Sequence, residues 1–146
     1  MPQHYTTREL QLLKEIDRSE DLLNIAWGIL NRIPQPIEIV CGPISTGGKG
    51  SIEANMSYLN EWISELQKKG HNVFSQIPFE DPMHKMIKLF KTKGYPNWIL
   101  NDFYLPIFKS GLIKKFNFIP GWQSSTGACW EYGQAQKIGI EVAFLS

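Results

Sequence analysis

The chain has 146 residues, 42% hydrophobic and 20% charged; this balance excludes a disordered tail or a fibrous protein and fits one domain able to bury roughly two-thirds of its unfolded surface. Fifteen Lys and Arg against fourteen Asp and Glu leave a formal charge of +1, too weak a field to hold a duplex by counterion release, so no nucleic-acid polymer is expected as a partner. The longest apolar runs, 37–41 and 138–145, fall far short of the roughly twenty residues a membrane helix needs, and no signal peptide is read at the start, so a cytoplasmic protein without a membrane partner is expected. Cys41 and Cys129 and the three histidines (His4, His71, His84) show no ligand spacing. Neither a disulfide scaffold nor a metal site is therefore expected, and the cysteines read as small buried groups.

Residues 6–31 read as helix in one or two pieces. Leu10, Leu13 and Ile16, then Leu22, Leu23, Ala26, Trp27 and Leu30, recur at spacings of three and four, and Ser19 can restart the helix. Pro34-Gln35-Pro36 cannot continue it, because proline lacks an N–H and pushes its predecessor out of the helical region. This break divides an N-terminal helical extension, 1–34, from an α/β domain, 35–146. Ile37–Cys41 is a short β-branched strand running directly into the glycine-rich loop 42–50.

Helix returns over about 51–69, with Ala54, Tyr58, Trp62, Ile63 and Leu66 on one face and Gly70 as its stop. A second strand is expected at 72–77, a helix at 80–94 carrying Met83, Met86, Ile87 and Leu89, a break at Pro96, and a helix over 98–112 kinked near Pro106. A third strand over 114–119, an exit loop at 120–125, a helix at 126–138 capped by Gly139 and a last strand at 140–145 complete the chain. Strands alternating with helices in this way predict a three-layer, Rossmann/flavodoxin-like, mainly parallel sheet with helices on both faces. Ligands of such sheets bind beyond the carboxyl ends of the strands, which singles out the loops 42–50 and 120–126.

The first loop fails two familiar patterns. The nucleotide P-loop needs a glycine where Pro43-Ile44 stands and no Gly50 between Lys49 and Ser51, and no Gly-x-Gly-x-x-Gly can be laid over 42–50. What remains is general: glycines let backbone N–H groups approach an anion, and the helix that follows contributes about 0.3–1 kcal/mol through its positive end; a plain surface loop is the competing reading. Asn55 can tie this loop to the helix through hydrogen bonds. Lys49 reads as solvated, as do Lys88, Lys91, Lys93, Lys114 and Lys115, whose charge Glu80 and Asp81 partly offset.

In the second loop, Ser124 or Ser125 can cap the last helix, and Glu131 falls about one and a half turns in, beside the small residues Gly127, Ala128, Gly133 and Ala135. A lone glutamate near a helix start is ordinarily solvated. Trp122 and Trp130 can stack on a base, although aromatic residues beside a sheet edge more often belong to the core or a subunit contact.

Taken together, Cys41-Gly42-Pro43-Ile44-Ser45-x-Gly47-Gly48 and Ser125-x-Gly127-x-x-x-Glu131-x-Gly133-x-Ala135 resemble the nucleoside 2-deoxyribosyltransferase superfamily. The likeness covers about 37–145 and leans towards the 2′-deoxynucleoside 5′-phosphate N-hydrolases and small uncharacterised relatives. It implies that Glu131 attacks the anomeric carbon of a sugar, that Gly42, Pro43, Ile44, Ser45, Gly47 and Gly48 face the sugar and its 5′-phosphate, and that Ser125 and Gly127 help hold that phosphate. Transferases acting on free nucleosides usually carry an aspartate where this chain has Ser125, which points to a nucleoside monophosphate as substrate. Asp102 is the candidate for the family's second acid, although it lies farther from Ser125 than the pattern leads one to expect.

The chemistry fits these residue types, since a carboxylate beneath C1′ stabilises the positive charge that builds as the base departs, or captures the sugar covalently. Hydrolysis of the N-glycosidic bond of a nucleoside 5′-monophosphate is therefore the expected function, and this chemistry needs no metal or redox cofactor. Base exchange between nucleosides is one alternative, and a non-catalytic nucleotide or sugar-phosphate binding module is another. The resemblance also implies a homo-oligomer, with helices 6–31 covering a sheet face or building the subunit contact. Base recognition is expected from residues 75–100, without a named contact.

Overall fold

The computed structural model describes residues 2–89 and 98–146. The expected helix end at Gly94, the break at Pro96, and Lys91 and Lys93 lie outside these residues. Helix α1 (Thr7–Glu15) opens with a reciprocal capping box: Thr6 Oγ1 accepts from the Glu9 amide at 3.1 Å, and Glu9 Oε1 accepts from the Thr6 amide at 2.8 Å. A second helix, α2 (Ser19–Arg32), begins at the expected restart and buries Leu22, Ala26, Ile29 and Leu30. Arg32 then holds Glu9 with both guanidinium arms, at 3.0 and 2.7 Å, which ties the two helices together.

The remaining elements are β1 (Ile37–Cys41), α3 (Ile52–Lys68), β2 (Asn72–Val73), α4 (Ile77–Leu89), a π-helix (Ile99–Tyr104) running into α5 (Leu105–Lys109), β3 (Ile113–Phe118), a 3₁₀ turn (Trp122–Ser124), α6 (Thr126–Ile138) and β4 (Glu141–Phe144). The four strands form one all-parallel sheet in the order β2-β1-β3-β4, and helices flank it in three layers of the Rossmann/flavodoxin-like kind. Period-two alternation divides the side chains of β1 between the faces. Val40 joins Val73 and Ile119 beneath Leu59, Ile63 and Leu66 of α3, while Ile37, Ile39 and Cys41 join Phe116 and Phe118 on the opposite face.

That opposite face also gathers Leu22, Ala26, Ile29 and Leu30 of α2, Phe79, Met83 and Met86 of α4, Phe103, Phe108 and Ala135 into one cluster. Residues 1–34, expected as a helical extension with helices covering a sheet face or building a subunit contact, contribute to the same core as the sheet.

Several boundaries differ from expectation for local reasons. β2 was expected through residue 77 and stops at Val73. Phe74 N still donates to Glu38 O at 2.9 Å, but the next β1 acceptor, Val40 O, takes its hydrogen bond from the Gln76 side chain at 2.7 Å, so a side chain replaces the ladder and the backbone turns into α4. α4 starts at Ile77, three residues early, with Pro78 in its first turn, where no helical N–H is needed. Between 98 and 109 the helix widens into a π-helix ahead of Pro106, whose ring and missing N–H disfavour the regular bond to the residue four before it. α6 spans the expected residues and ends at Gly139 in the left-handed region, φ 87°.

Candidate functional site

β1 and β3 are parallel neighbours in which Cys41 pairs with Phe118, so the loops leaving them emerge side by side at one sheet edge. A cavity opens there between the β1 loop, the α4 start, the π-helix and the α6 start. Its walls are Gly42, Ile44, Ser45 and Thr46 of the first loop, Gln76 and Glu80, Leu100 and Tyr104, then Ser125, Thr126, Gly127, Ala128 and Glu131. It encloses about 40 Å³, the scale of one or two water-sized groups.

The first loop is braced from behind. Asn55, 3% exposed in α3, donates through Nδ2 to Ile44 O at 3.0 Å and Gly47 O at 3.1 Å, and its Oδ1 accepts from Lys49 N at 2.7 Å. Gly48 N donates to Ser124 Oγ at 2.9 Å, which links the two loops. Gly47 and Gly48 both have φ +68°, and a Cβ at Gly48 would press into Pro43 and Asn55; glycine is required there by conformation and by space. Pro43, Gly47 and Gly48 lie on the braced side of the loop and not among the residues described around the cavity. Lys49 sits over the Tyr58 ring, 4.4 Å from its centroid, on the α3 side.

At the α6 start, Ser125 is the N-cap, its Oγ accepting from Ala128 N at 3.1 Å, while Thr126 N donates to Thr46 Oγ at 3.1 Å. Among the described residues the Gly127 amide donates to no protein group, and Gly127 lies on the cavity wall. A helix start with such an amide is suited to an anion.

Glu131 projects from the buried face of α6. Burial pushes its carboxyl up to about 8, a hydrogen bond with the Cys41 thiol pulls the other way, and the charge of Glu80 adds to the rise. The Cys41 thiol is itself pushed well up by burial and by the Glu131 charge. Glu80, 1% exposed, is raised to about 7, chiefly by burial, against the pull of a hydrogen bond donated by the Tyr104 hydroxyl to its Oε1 at 3.2 Å. Its Oε2 has no hydrogen-bond partner among the described residues, and His84 Nε2 stands 3.9 Å away. The same His84 nitrogen is 3.1 Å from Ser45 Oγ, and burial lowers the ring's pKa, so His84 is neutral at pH 7.

Comparison with protein-family models, curated proteins and solved structures finds no match.

Of the sequence-selected residues, Glu131, Ser125, Gly127, Gly42, Ile44 and Ser45 meet around the cavity. Asp102 does not: it is exposed on the π-helix, and the second acid in the cavity is Glu80. The winding of that segment turns Tyr104 and Leu100 inward in its place. Trp122 lies outside the cavity wall, packed on Phe118, Tyr132 and Phe144 with ring centroids 4.9, 5.1 and 5.9 Å away; the core reading of this residue describes its surroundings.

Gln76, Glu80 and Tyr104 were not singled out from sequence. The available signal was Gln76, Glu80 and His84 at four-residue spacing beside the apolar Phe79, Met83 and Met86, which places polar groups next to a buried helix face. Among the described residues no group of three or more His, Cys, Asp or Glu side chains is arranged to hold a metal ion. No helix among them is long and apolar enough to cross a membrane.

Proposed function

We propose that this protein hydrolyses the N-glycosidic bond of a nucleoside 5′-monophosphate, with Glu131 as nucleophile and Glu80 as the second acid. The observation that carries this reading is two buried carboxyl groups on the walls of one cavity whose rim is the amide end of α6. Because their pKa values are raised to about 8 and about 7, the pair loses its first proton near neutrality. In the singly protonated pair the higher value keeps the proton mainly on Glu131, and the form that a retaining glycoside cleavage needs, with Glu131 ionised and Glu80 protonated, is the minority one.

The ionised carboxylate of Glu131 attacks C1′ from the side opposite the base, and the C1′–N bond breaks. Protonated Glu80 gives its proton to the departing base; water then attacks C1′, passing a proton to Glu80 and releasing the sugar phosphate and Glu131. The phosphate binds at the Ser125–Gly127 end of α6, which aligns the sugar over Glu131. Tyr104 holds the Glu80 carboxyl in place through its hydroxyl.

The test is incubation with ribo- and deoxyribonucleoside 5′-monophosphates and the corresponding nucleosides, following free base by chromatography. Base is expected from monophosphates with the wild type and not with Glu131→Gln, and Glu80→Gln is expected to lower kcat about 10²- to 10⁴-fold. The rate should peak between about pH 7 and about pH 8, because below that range neither carboxyl is ionised and above it neither holds a proton. Full turnover by Glu131→Gln would remove the proposed nucleophile. A new nucleoside on addition of a second base would identify base exchange, and a ligand-raised melting temperature without product would identify a binding module.

A further inference from the structure

The fold treats the two edges of its sheet differently. At one edge β2 lasts two residues before the chain turns into α4. At the other, β4 runs for four residues and pairs with β3 alone. An open row of amides and carbonyls is a template for another strand, so sheet edges are ordinarily blunted by brevity, by proline or lysine, or by a bulge. Brevity protects β2. None of these devices protects β4: it reads Glu-Val-Ala-Phe, its register with β3 is unbroken from Glu141 to Phe144, and its one charge, Glu141, is engaged by Lys115 at 3.3 Å. Among the described residues Phe144 is the most exposed of the large apolar side chains, at 59%, although its ring lies against Trp122, Phe118 and Tyr132 with centroids 5.9, 6.0 and 6.1 Å away.

One hydrogen bond fixes where the free backbone groups point. Leu145 N donates to Phe118 O at 2.8 Å. In an extended strand the N–H and C=O of one residue share a direction, and successive residues alternate. Ala143 therefore faces β3 together with Leu145, while Val142 and Phe144 turn their amides and carbonyls to the open edge, where the described residues offer them no partner. A second β4 laid antiparallel, with Ala143 on the two-fold axis, pairs every one of these groups, because Val142 of each copy then exchanges hydrogen bonds with Phe144 of the other. The side chains suit the same register. Val142 and Phe144 lie on one face, in line with Phe116 and Phe118, so each copy sets a β-branched side chain against the other's aromatic ring, a favourable cross-strand pair. On the opposite face the axis carries only the two alanine methyl groups. We infer that the β4 edge joins two copies of this chain into one continuous sheet. A two-fold contact requires a surface complementary to itself, and this strand is one. Val142, Ala143 and Phe144 do not line the cavity that holds Glu131, so the contact stands apart from the proposed reaction.

Sedimentation equilibrium of the full chain over a wide range of concentrations is the first test. A dimer is expected, and Phe144→Lys, which sets a charge at the edge against the second copy, is expected to raise its dissociation constant about tenfold or more, with an unchanged circular dichroism spectrum. Crosslinking locates the contact even where that variant fails to fold. In a Cys129→Ser background, which removes the exposed thiol and leaves only the buried Cys41, Ala143→Cys places two cysteines opposite each other in a non-hydrogen-bonded pair. Their Cα atoms then lie about 4.5 Å apart, within reach of a disulfide. Oxidation is expected to give a covalent dimer that dithiothreitol reverses. In the same background Glu141→Cys is expected to give none, because the register holds its two copies about 13 Å apart along the strands. A wild type that stays monomeric at every concentration overturns the inference, as does a dimer that Phe144→Lys leaves intact or that crosslinks through position 141 and not through 143.

Discussion

Glu131 and Glu80 show how much a residue's surroundings decide. As bare sequence each is one of fourteen acidic residues, yet burial drives both far above an ordinary carboxyl. This has a consequence for stability that does not depend on any proposed reaction. Their folded pKa values of about 8 and about 7 lie above the reference value of 4.5, so the native state binds protons that the unfolded chain has released, and each group's contribution is complete below about pH 4.5 and lost as pH rises through its folded value. Thermal unfolding midpoints should therefore fall between pH 5.5 and 8.5, with a shallower fall in Glu131→Gln, which cannot ionise. A variant that tracks the wild type across this range would show that Glu131 is not held neutral. Glu131 was singled out by the resemblance of its motif and not by its place in α6, where a lone glutamate ordinarily reads as solvated. The raised pKa was not legible, because it comes chiefly from burial beneath elements distant in sequence, with the charge of Glu80 adding to it.

At the scale of elements, the β1 loop and α3 act as one unit. Asn55 makes three hydrogen bonds to the backbone of residues 44–49 from a buried position, and Ser51 caps α3 through its Oγ and the Ala54 amide at 3.1 Å. Asn55→Ala should destabilise the fold by about 2–3 kcal/mol, read from chemical denaturation, because it strands loop carbonyls and an amide that no longer meet a partner. A change below about 0.5 kcal/mol would mean that water replaces the side chain without loss. The role of Asn55 could be read from its spacing after the glycine loop. The second acid could not: Asp102 sits on a helix whose winding changes from π to α just before Pro106, and three- and four-residue spacing gives the wrong face where the turn is wider. The early stop of β2 was equally hidden, since it depends on the Gln76 side chain reaching Val40 in another strand.

Over the whole molecule, the N-terminal helices complete the core. Ile29, fully buried, packs in the same cluster as Ile39, Phe79 and Phe116; the Tyr5 hydroxyl donates to Ser75 O just ahead of α4. Ile29→Ala should cost about 2–5 kcal/mol in urea unfolding, through lost transfer energy and the cavity left behind. Far- and near-ultraviolet circular dichroism should lose their signals at one midpoint, as expected of a single cooperative unit. Two separated transitions would show that residues 1–34 unfold apart from the sheet.

The sequence by itself determined the order of the elements, the parallel α/β class and the two loops at the strand ends. These follow from local causes: periodicity, proline and glycine breaks, caps and the crossover pattern act within a few residues of one another. Only the tertiary structure decided that Glu80 and Tyr104, rather than Asp102, share the cavity with Glu131, that Trp122 belongs to an aromatic cluster, and that the N-terminal helices share the core. Each of those outcomes depends on groups far apart in the chain meeting in a dry interior, where burial sets charge, hydrogen bonds set direction, and neither can be read from spacing along one strand or helix.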